Sequence, residues 1–276
     1  MPELPEVETI RRAIEPAIVG TRVTDITLLD TSIAGPEGPA SLQSAIGSPV
    51  RAVLRRGKHL ILLLERNRGV VLHLRMTGAI LLAEPAAQAR VRAILSFSNG
   101  VRLFFNDMRR LGTIRMYEDL KPLLVRLGPE PLDPDFTADM LAQSLSRHSI
   151  PIKAALLDQH IAAGIGNMYA DEALHRAGIH PLKPAAELSE EEVTRLFQSI
   201  REVLTHAIEC QGASIDTYWQ PSGERGTAHD VFAVAHKKGD ACPTCGTSIN
   251  RIMVRKRGAY FCPLCQPAVQ GDLSKN

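Results

Sequence analysis

Four of the five cysteines stand in two pairs, Cys242-Pro-Thr-Cys245 and Cys262-Pro-Leu-Cys265, with sixteen residues between the pairs. No other feature restricts the possible folds as much. The spacing is that of two metal-binding knuckles joined by a hairpin. Each knuckle supplies two thiolates, which close a tetrahedral shell around Zn2+ with metal–sulfur bonds of about 2.3 Å. With all four positions filled by protein, one structural ion is expected, with no open position for substrate. A pair of disulfides is the alternative, and it needs an oxidising compartment to which nothing else in the chain points. Cys210 stands alone and reads as a small buried apolar residue.

The 276 residues leave room for two domains, each with its own core. No apolar run reaches the length of about eighteen residues that a membrane span needs. The N-terminus lacks the basic-then-apolar order of a secretory signal, so a cytoplasmic protein is expected. The formal charge of +2 names no partner, but its distribution is uneven. Arg51, Arg55, Arg56, Lys58, Arg66, Arg68 and Arg75 cluster with little acidic relief, and so do Arg251, Arg255, Lys256 and Arg257. Such patches on a nearly neutral chain suit either a polyanion or an ordinary solvated face.

The first residues, Met1-Pro-Glu-Leu-Pro-Glu-Val-Glu8, allow a specific chemistry. Removal of Met1 leaves Pro2 as a secondary amine. An unperturbed α-amino group has a pKa of about 7.7–8.0, so part of it is nucleophilic near neutral pH. Attack on a sugar carbon gives an iminium, an electron sink for later eliminations, and Glu3 stands next to it as a proton donor or acceptor. The plainer reading is a helix entry, with prolines in the first turn and acidic residues that complement the helix dipole.

Beyond this start, Val7, Ile10, Ile14, Ala17 and Ile18 recur at helical spacing up to Gly20. Strand-like segments follow at 22–29, 50–54, 59–65, 70–74, 79–82, 91–97 and 101–105, the last two joined by Asn99-Gly100, a good hairpin turn. Short strands without intervening helices predict an antiparallel sandwich or barrel. Proline-rich residues 122–135 read as a linker. Helical patterns then cover 137–146, 152–157, 167–177 and 189–209. Gly164-Ile-Gly166 precedes Asn167, a good N-cap whose neighbouring amides suit a phosphate. Residues 211–226 form a polar loop, and 266–276 read as a frayed tail.

Taken together, the motifs Pro2-Glu-Leu-Pro-Glu-Val-Glu8, Arg55-Arg-Gly-Lys-His59, His73-Leu-Arg-Met-Thr-Gly78, Asn106-Asp-Met-Arg-Arg110, Gly164-Ile-Gly-Asn-Met-Tyr169 and the four-cysteine hairpin occur in the order found in one family. The chain resembles the formamidopyrimidine-DNA glycosylases over nearly its whole length. The resemblance implies an α+β chain: an N-terminal antiparallel β-sandwich with an N-terminal helix over 1–121, a linker over 122–135, a helical helix-two-turn-helix domain with a lesion-covering loop over 136–235, and the zinc-finger hairpin and tail over 236–276.

It further implies a monomeric bacterial base-excision repair enzyme acting on double-stranded DNA with oxidised bases or abasic sites. By that analogy Pro2 attacks C1′, Glu3 handles protons, Lys58 assists β-elimination, and Arg257 assists δ-elimination while gripping phosphate. Met76, Arg109 and Leu111 fill the gap left by the extruded base, and Arg90, Lys153 and Asn167 contact the DNA backbone. Cys242, Cys245, Cys262 and Cys265 hold the zinc ion.

The chain departs from the family pattern at several points. Leu111 stands where the family usually has Phe, Arg90 where a histidine is common, and Ala235-His-Lys237 where a Tyr-Gly-Arg stretch is usual. An aliphatic wedge separates bases but loses stacking. Two rival functions share much of the pattern: an endonuclease VIII-type glycosylase for oxidised pyrimidines, and a non-catalytic zinc-containing protein that binds damaged DNA. Leu4 and Arg109 lean toward the purine enzyme. Pro2, Glu3 and Lys58 together argue against a mere binder.

Overall fold

The computed structural model describes residues 1–85, 90–215 and 217–268. The tail expected over 266–276 lies outside these from residue 269 onward, as does Asp216 in the polar loop. The chain divides into two compact units, one of residues 1–126 with 207–229 and one of residues 127–206 with 230–276. The segment 207–229, assigned from the resemblance to the helical domain, groups with the N-terminal residues.

In the first unit, α1 (Leu4–Ile18) carries Pro5 in its first turn and buries Val7, Ile10, Ile14 and Ile18 along one face. Eight strands follow: β1 (Val23–Leu28), β2 (Ala52–Arg56), β3 (His59–Leu63), β4 (Gly69–His73), β5 (Gly78–Leu81), β6 (Val91–Phe97), β7 (Arg102–Asp107) and β8 (Thr113–Tyr117). They form two antiparallel sheets, ordered β1-β6-β7-β5 and β2-β3-β4-β8. Residues from all eight strands and from α1 share one apolar core, which makes the pair of sheets a sandwich.

The second sheet is covered on its outer face as well. Ile61 and Val71 pack there with Leu120, Leu123 and Leu124 of the segment carrying a short helix, α3 (Lys121–Leu124), which runs into the start of the expected linker. Two buried faces explain why β3 reads His-Leu-Ile-Leu-Leu without alternation. Another short helix, α2 (Gly38–Gln43), follows β1.

The second unit contains α4 (Ala138–Leu145), α5 (Ile152–Leu156), α6 (Asn167–Ala177) and most of α7 (Glu190–Glu209). Thr137 caps α4 through its hydroxyl, which accepts the Met140 N–H. Helix α7 buries Val193, Leu196, Ile200 and Leu204 at three- and four-residue spacing. The unit ends in a two-stranded hairpin, β9 (Asn250–Val254) and β10 (Arg257–Phe261), and β10 packs on α6.

Candidate active site and metal centre

The start of α1 is built as a seat for the N-terminus. Met1 is exposed, whereas Pro2 and Glu3 are buried, so loss of Met1 uncovers the Pro2 nitrogen in a protein-lined position. The Glu3 N–H donates to Glu6 Oε2 at 2.7 Å. Glu6, expected only to complement the helix dipole, also accepts the Ala213 N–H through Oε1 at 2.8 Å. Its carboxylate thus fastens residue 213 of the polar loop to the helix start. Gly212 has φ of +79°, a backbone conformation strained for a residue with a Cβ, and a Cβ there would lie 3.0 Å from the Glu6 and Tyr218 side chains, which would have to give way. Tyr218 is buried alongside and donates toward the Glu6 carbonyl at 3.5 Å.

Lys58 lies in the tight turn between β2 and β3 and is only 9% exposed, unlike an ordinary turn lysine. A relay fixes this turn: Arg55 Nε donates to Glu8 Oε2 at 3.2 Å, and its Nη1 donates to the Gly57 carbonyl at 3.2 Å. Burial alone would raise the Glu8 carboxyl. Hydrogen bonds from Arg11 and Arg12, and the charges of Arg11 and Arg55, hold it below the ordinary range.

Beside Lys58, His59 and His73 face each other across β3 and β4, with rings edge to face and 4.7 Å between centroids. Burial, then His59, Arg75 and Lys58, push the His73 imidazole down to about 3. Its Nδ1 accepts the Arg75 N–H at 3.1 Å, which leaves the proton of the neutral ring on Nε2.

Met76, Arg109 and Leu111 stand on two loops of the same unit, and all three are exposed. Met108, which the sequence pattern does not single out, is exposed among them. Asp107 organises both loops from a fully buried position. Its Oδ1 takes the Thr77 hydroxyl and the Arg109 N–H, its Oδ2 takes the Gly112 N–H at 2.7 Å, and Arg92 Nε donates to its carbonyl at 2.7 Å. Arg109 Nη1 reaches Met76 Sδ at 3.5 Å. Thr217 of the polar loop donates to the Met76 carbonyl at 3.2 Å. Arg75 and Arg110, beside these residues, both adopt positive φ, a conformation with a steric cost for any residue bearing a Cβ. Arg90 is exposed.

The basic cluster of this unit has more acidic relief than its sequence suggests. Arg51 pairs with Glu65, Arg55 with Glu8, and Arg68 with Glu118. Three of the clustered arginines thus have acidic partners once the chain folds.

In the second unit, two of the expected contacts sit differently from the sequence reading. Lys153 is completely buried, not at a surface. Its ammonium donates to Asp171 Oδ1 at 2.7 Å and to the Gly258 carbonyl at 2.6 Å. It therefore pins the β10 strand beside Arg257. Burial pushes the Asp171 carboxyl up, against the pull of Lys153. Asn167 is the first residue of α6, not its cap; the cap position is Gly166, with no capping side chain. The first-turn amides of α6 thus have no side-chain cap competing with an anion.

Arg257 is exposed at the start of β10. The register pairs it with Val254, leaving Arg255 and Lys256 as a two-residue turn in which both φ angles are positive, at 44° and 66°. Such a turn normally takes Asn-Gly. Here two long cations occupy it.

Cys242, Cys245, Cys262 and Cys265 bring their sulfurs within 4.8 Å of one another. The Cys242–Cys265 and Cys245–Cys262 separations are 3.8 and 3.4 Å. A tetrahedron with metal–sulfur bonds of about 2.3 Å has sulfur–sulfur edges of about 3.8 Å, so the residues fit one zinc ion. Cys210 is half-buried and lies outside this cluster. Glu172 of α6, which the sequence reading does not identify, accepts the N–H groups of Ala233, Val234 and Ala235 at 2.8–2.9 Å and ties the approach to the hairpin. Burial raises its carboxyl, and the three N–H bonds oppose that.

Three family models cover the chain. The formamidopyrimidine-DNA glycosylase N-terminal domain matches residues 1–114, the formamidopyrimidine-DNA glycosylase H2TH domain matches 127–218, and the zinc finger found in FPG and IleRS matches 239–268. A formamidopyrimidine-DNA glycosylase of Chloroflexus aurantiacus is 44% identical over 275 residues, covering 98% of this chain and 99% of the relative. Among solved structures, the MutM (Fpg) protein of Thermus thermophilus is 40% identical with a TM-score of 0.86, covering 96% of this chain and 98% of that one. The Lactococcus lactis Fpg in complex with DNA containing an abasic site is 34% identical with a TM-score of 0.88, covering 96% and 100%. With the sandwich, the H2TH region and the four-thiolate hairpin all matched in order, this chain belongs to the formamidopyrimidine-DNA glycosylase family.

Proposed function

We propose that the chain is a bifunctional DNA glycosylase and abasic-site lyase that removes oxidised purines from double-stranded DNA. The observation that carries this reading is the seat of the N-terminus. Pro2 and Glu3 are buried at the start of α1 beneath an exposed Met1 and are linked through Glu6 to the polar loop.

After Met1 is removed, the Pro2 nitrogen attacks C1′ of the damaged nucleotide. The glycosidic bond breaks, and the base leaves with its electron pair and takes up a proton. Glu3 serves the proton transfers of base loss and ring opening. Loss of the ring oxygen from C1′ gives an iminium, which acidifies the C2′ hydrogen. Abstraction of that proton, assisted by Lys58, expels the 3′ phosphate, and a second elimination assisted by Arg257 expels the 5′ phosphate. Hydrolysis of the iminium returns the amine.

Met76, Arg109 and Leu111 fill the space left by the extruded base, whose unstacking costs a few kcal/mol. Arg90, Arg257 and the first turn of α6 at Asn167 bind phosphates. Lys153 acts through the Gly258 carbonyl and not by contact with DNA. The zinc ion, held by Cys242, Cys245, Cys262 and Cys265, maintains the hairpin that bears Arg257. No described helix is long and apolar enough to cross a membrane. The enzyme works as a monomer on DNA in the bacterial cytoplasm.

Borohydride reduction in the presence of a duplex containing 8-oxoguanine tests the reading. The mature protein is expected to form a covalent adduct and the P2G variant none. Absence of any adduct from protein shown by mass spectrometry to begin at Pro2 would remove the proposed mechanism. Release of thymine glycol in preference to 8-oxoguanine would instead assign the endonuclease VIII-type activity.

A further inference from the structure

The zinc hairpin is seated on α6 and the residues that follow it through a series of polar anchors. Lys153, itself paired with Asp171 of α6, holds the Gly258 carbonyl. Glu172 holds the N–H groups of residues 233–235. Just past the helix, the Ile179 carbonyl accepts from Gln266 Nε2 at 2.9 Å, while Gln266 Oε1 accepts the Cys262 N–H. These contacts fix the backbone of the hairpin. One further contact reaches the metal-binding atoms themselves. His175, in the last turn of α6, places Nε2 at 3.4 Å from Cys242 Sγ, 67 residues away in sequence. Both side chains are buried.

We propose that His175 is an outer-sphere partner of the zinc centre, donating its Nε2–H to the Cys242 thiolate. The sulfur partners differ in origin. Cys262 Sγ receives the N–H of Cys265 from its own knuckle at 3.5 Å, and such local bonds are available to any zinc knuckle. The partner of Cys242 comes from a different part of the fold. A zinc-bound thiolate in a buried position keeps negative charge, and an N–H directed at the sulfur disperses it and lowers its tendency to take up a proton.

The donor has to be in place before the metal is held well, so α6 and the metal centre stabilise each other. Asn167, the proposed phosphate contact, lies eight residues before His175 on the same helix, a span of about 12 Å. The metal is thereby tied to the far end of a helix whose first turn faces DNA in the proposed function. A second explanation for His175 is simple: a cation in the last turn of a helix suits the dipole. That role needs an imidazolium, protonated at both ring nitrogens, but no aim of Nε2–H at the sulfur, so zinc affinity and the cobalt spectrum separate the two explanations.

The zinc-loaded full-length protein is titrated with a chromophoric zinc chelator. In H175F, which retains a planar ring without the donor, zinc affinity is expected to fall about 10–100-fold, the usual effect of losing an outer-shell partner. In H175Q, whose amide places an N–H near the position of Nε2, it stays within about threefold of the parent. With cobalt in place of zinc, the sulfur-to-metal charge-transfer band of H175F moves to lower energy, and that of H175Q does not. Unchanged affinity and an unchanged band in H175F overturn the proposal.

Long-range nitrogen–proton correlation of the imidazole in the unmodified zinc protein serves if H175F does not fold. A proton on Nε2 supports the assignment, and a proton confined to Nδ1 overturns it. All of these results are read on the metal and the ring, so they stand apart from the outcome of the borohydride experiment.

Discussion

In the N-terminal unit, eight strands and α1 enclose a continuous apolar core, and the functional side chains project from its loops. The hairpin at the end of the chain has a much smaller cluster, Val234, Cys242, Ile249 and Cys262, two of which are metal ligands, with Ala233, Tyr260 and Cys265 packed against it. The contrast shows two ways of fixing the position of a side chain. Around Lys58, Met76 and Arg109 the surrounding core is large enough to support buried carboxylates such as Asp107 and Glu6, whose role is to shape loops. Around Arg257 the apolar contribution is small, and position is kept by thiolates, by the Lys153–Asp171 pair and by Glu172.

The largest effect expected from this contrast follows metal removal. Structural zinc contributes about 10–16 kcal/mol of apparent binding free energy in small zinc-finger peptides. Chelation, or the C262S variant, should strip amide protection from residues 239–261 while the sheets of the first unit keep theirs, as followed by hydrogen exchange. Equal loss of protection in β6 and β7 would break the contrast.

K153M comes next. Removing the ammonium strands the Asp171 carboxylate in a buried position, a change that costs about 3–5 kcal/mol. Urea unfolding should show that loss, and K153M/D171L should recover most of it. If the double variant remains as unstable as the single one, Lys153 contributes through its bond to Gly258 more than through its charge.

The pH dependence of the first unit is a smaller effect. His73 is held near 3 in the folded chain against 6.5 for the free side chain. The unfolded state therefore binds more protons between these values. The stabilisation is fully present above pH 6.5 and is lost as the pH falls toward 3. At pH 5 the deficit is about 2 kcal/mol. H73Q should lack this part of the acid limb in stability measured between pH 7 and 4, and an identical limb would place the titration elsewhere.

The smallest effect concerns the turn at Arg255-Lys256. Replacing it in R255N/K256G relieves two positive-φ side chains and should stabilise the hairpin by about 1 kcal/mol. The same change should weaken DNA binding and reduce its logarithmic salt slope by about 1–2. Unaltered binding would show that the cations are retained for some reason other than phosphate contact.

Much of this architecture can be read from local pattern. Helix α6 occupies the predicted 167–177, and β6 and β7 flank Asn99-Gly100 because the alternation and the turn agree. Strand β8 has no counterpart in the sequence reading, although Ile114 and Met116 alternate inward with Thr113, Arg115 and Tyr117; five residues beside Gly112 carry too little periodicity to stand out. Helices α2 and α3 are single turns or little more, each with a proline near its start, and look like loop sequence.

The site divides in the same way. Motifs identify Pro2, Glu3, Lys58 and the cysteines, but not the partners that position them. Lys153 reads as a surface cation because its partners lie 18 and 105 residues away. The pairing of Arg55 and Arg68 with Glu8 and Glu118, 47 and 50 residues away, likewise depends on tertiary neighbours.

The bond from Ala213 to Glu6 joins residues 207 positions apart. During synthesis at about 5–20 residues per second, the helix start therefore waits roughly 10–40 s before its carboxylate meets this amide. The sheets have all their strands long before then. A ribosome-bound chain can thus have a folded sandwich whose N-terminal residues are not yet seated, and the newborn protein completes the seat of the proposed nucleophile only near the end of translation.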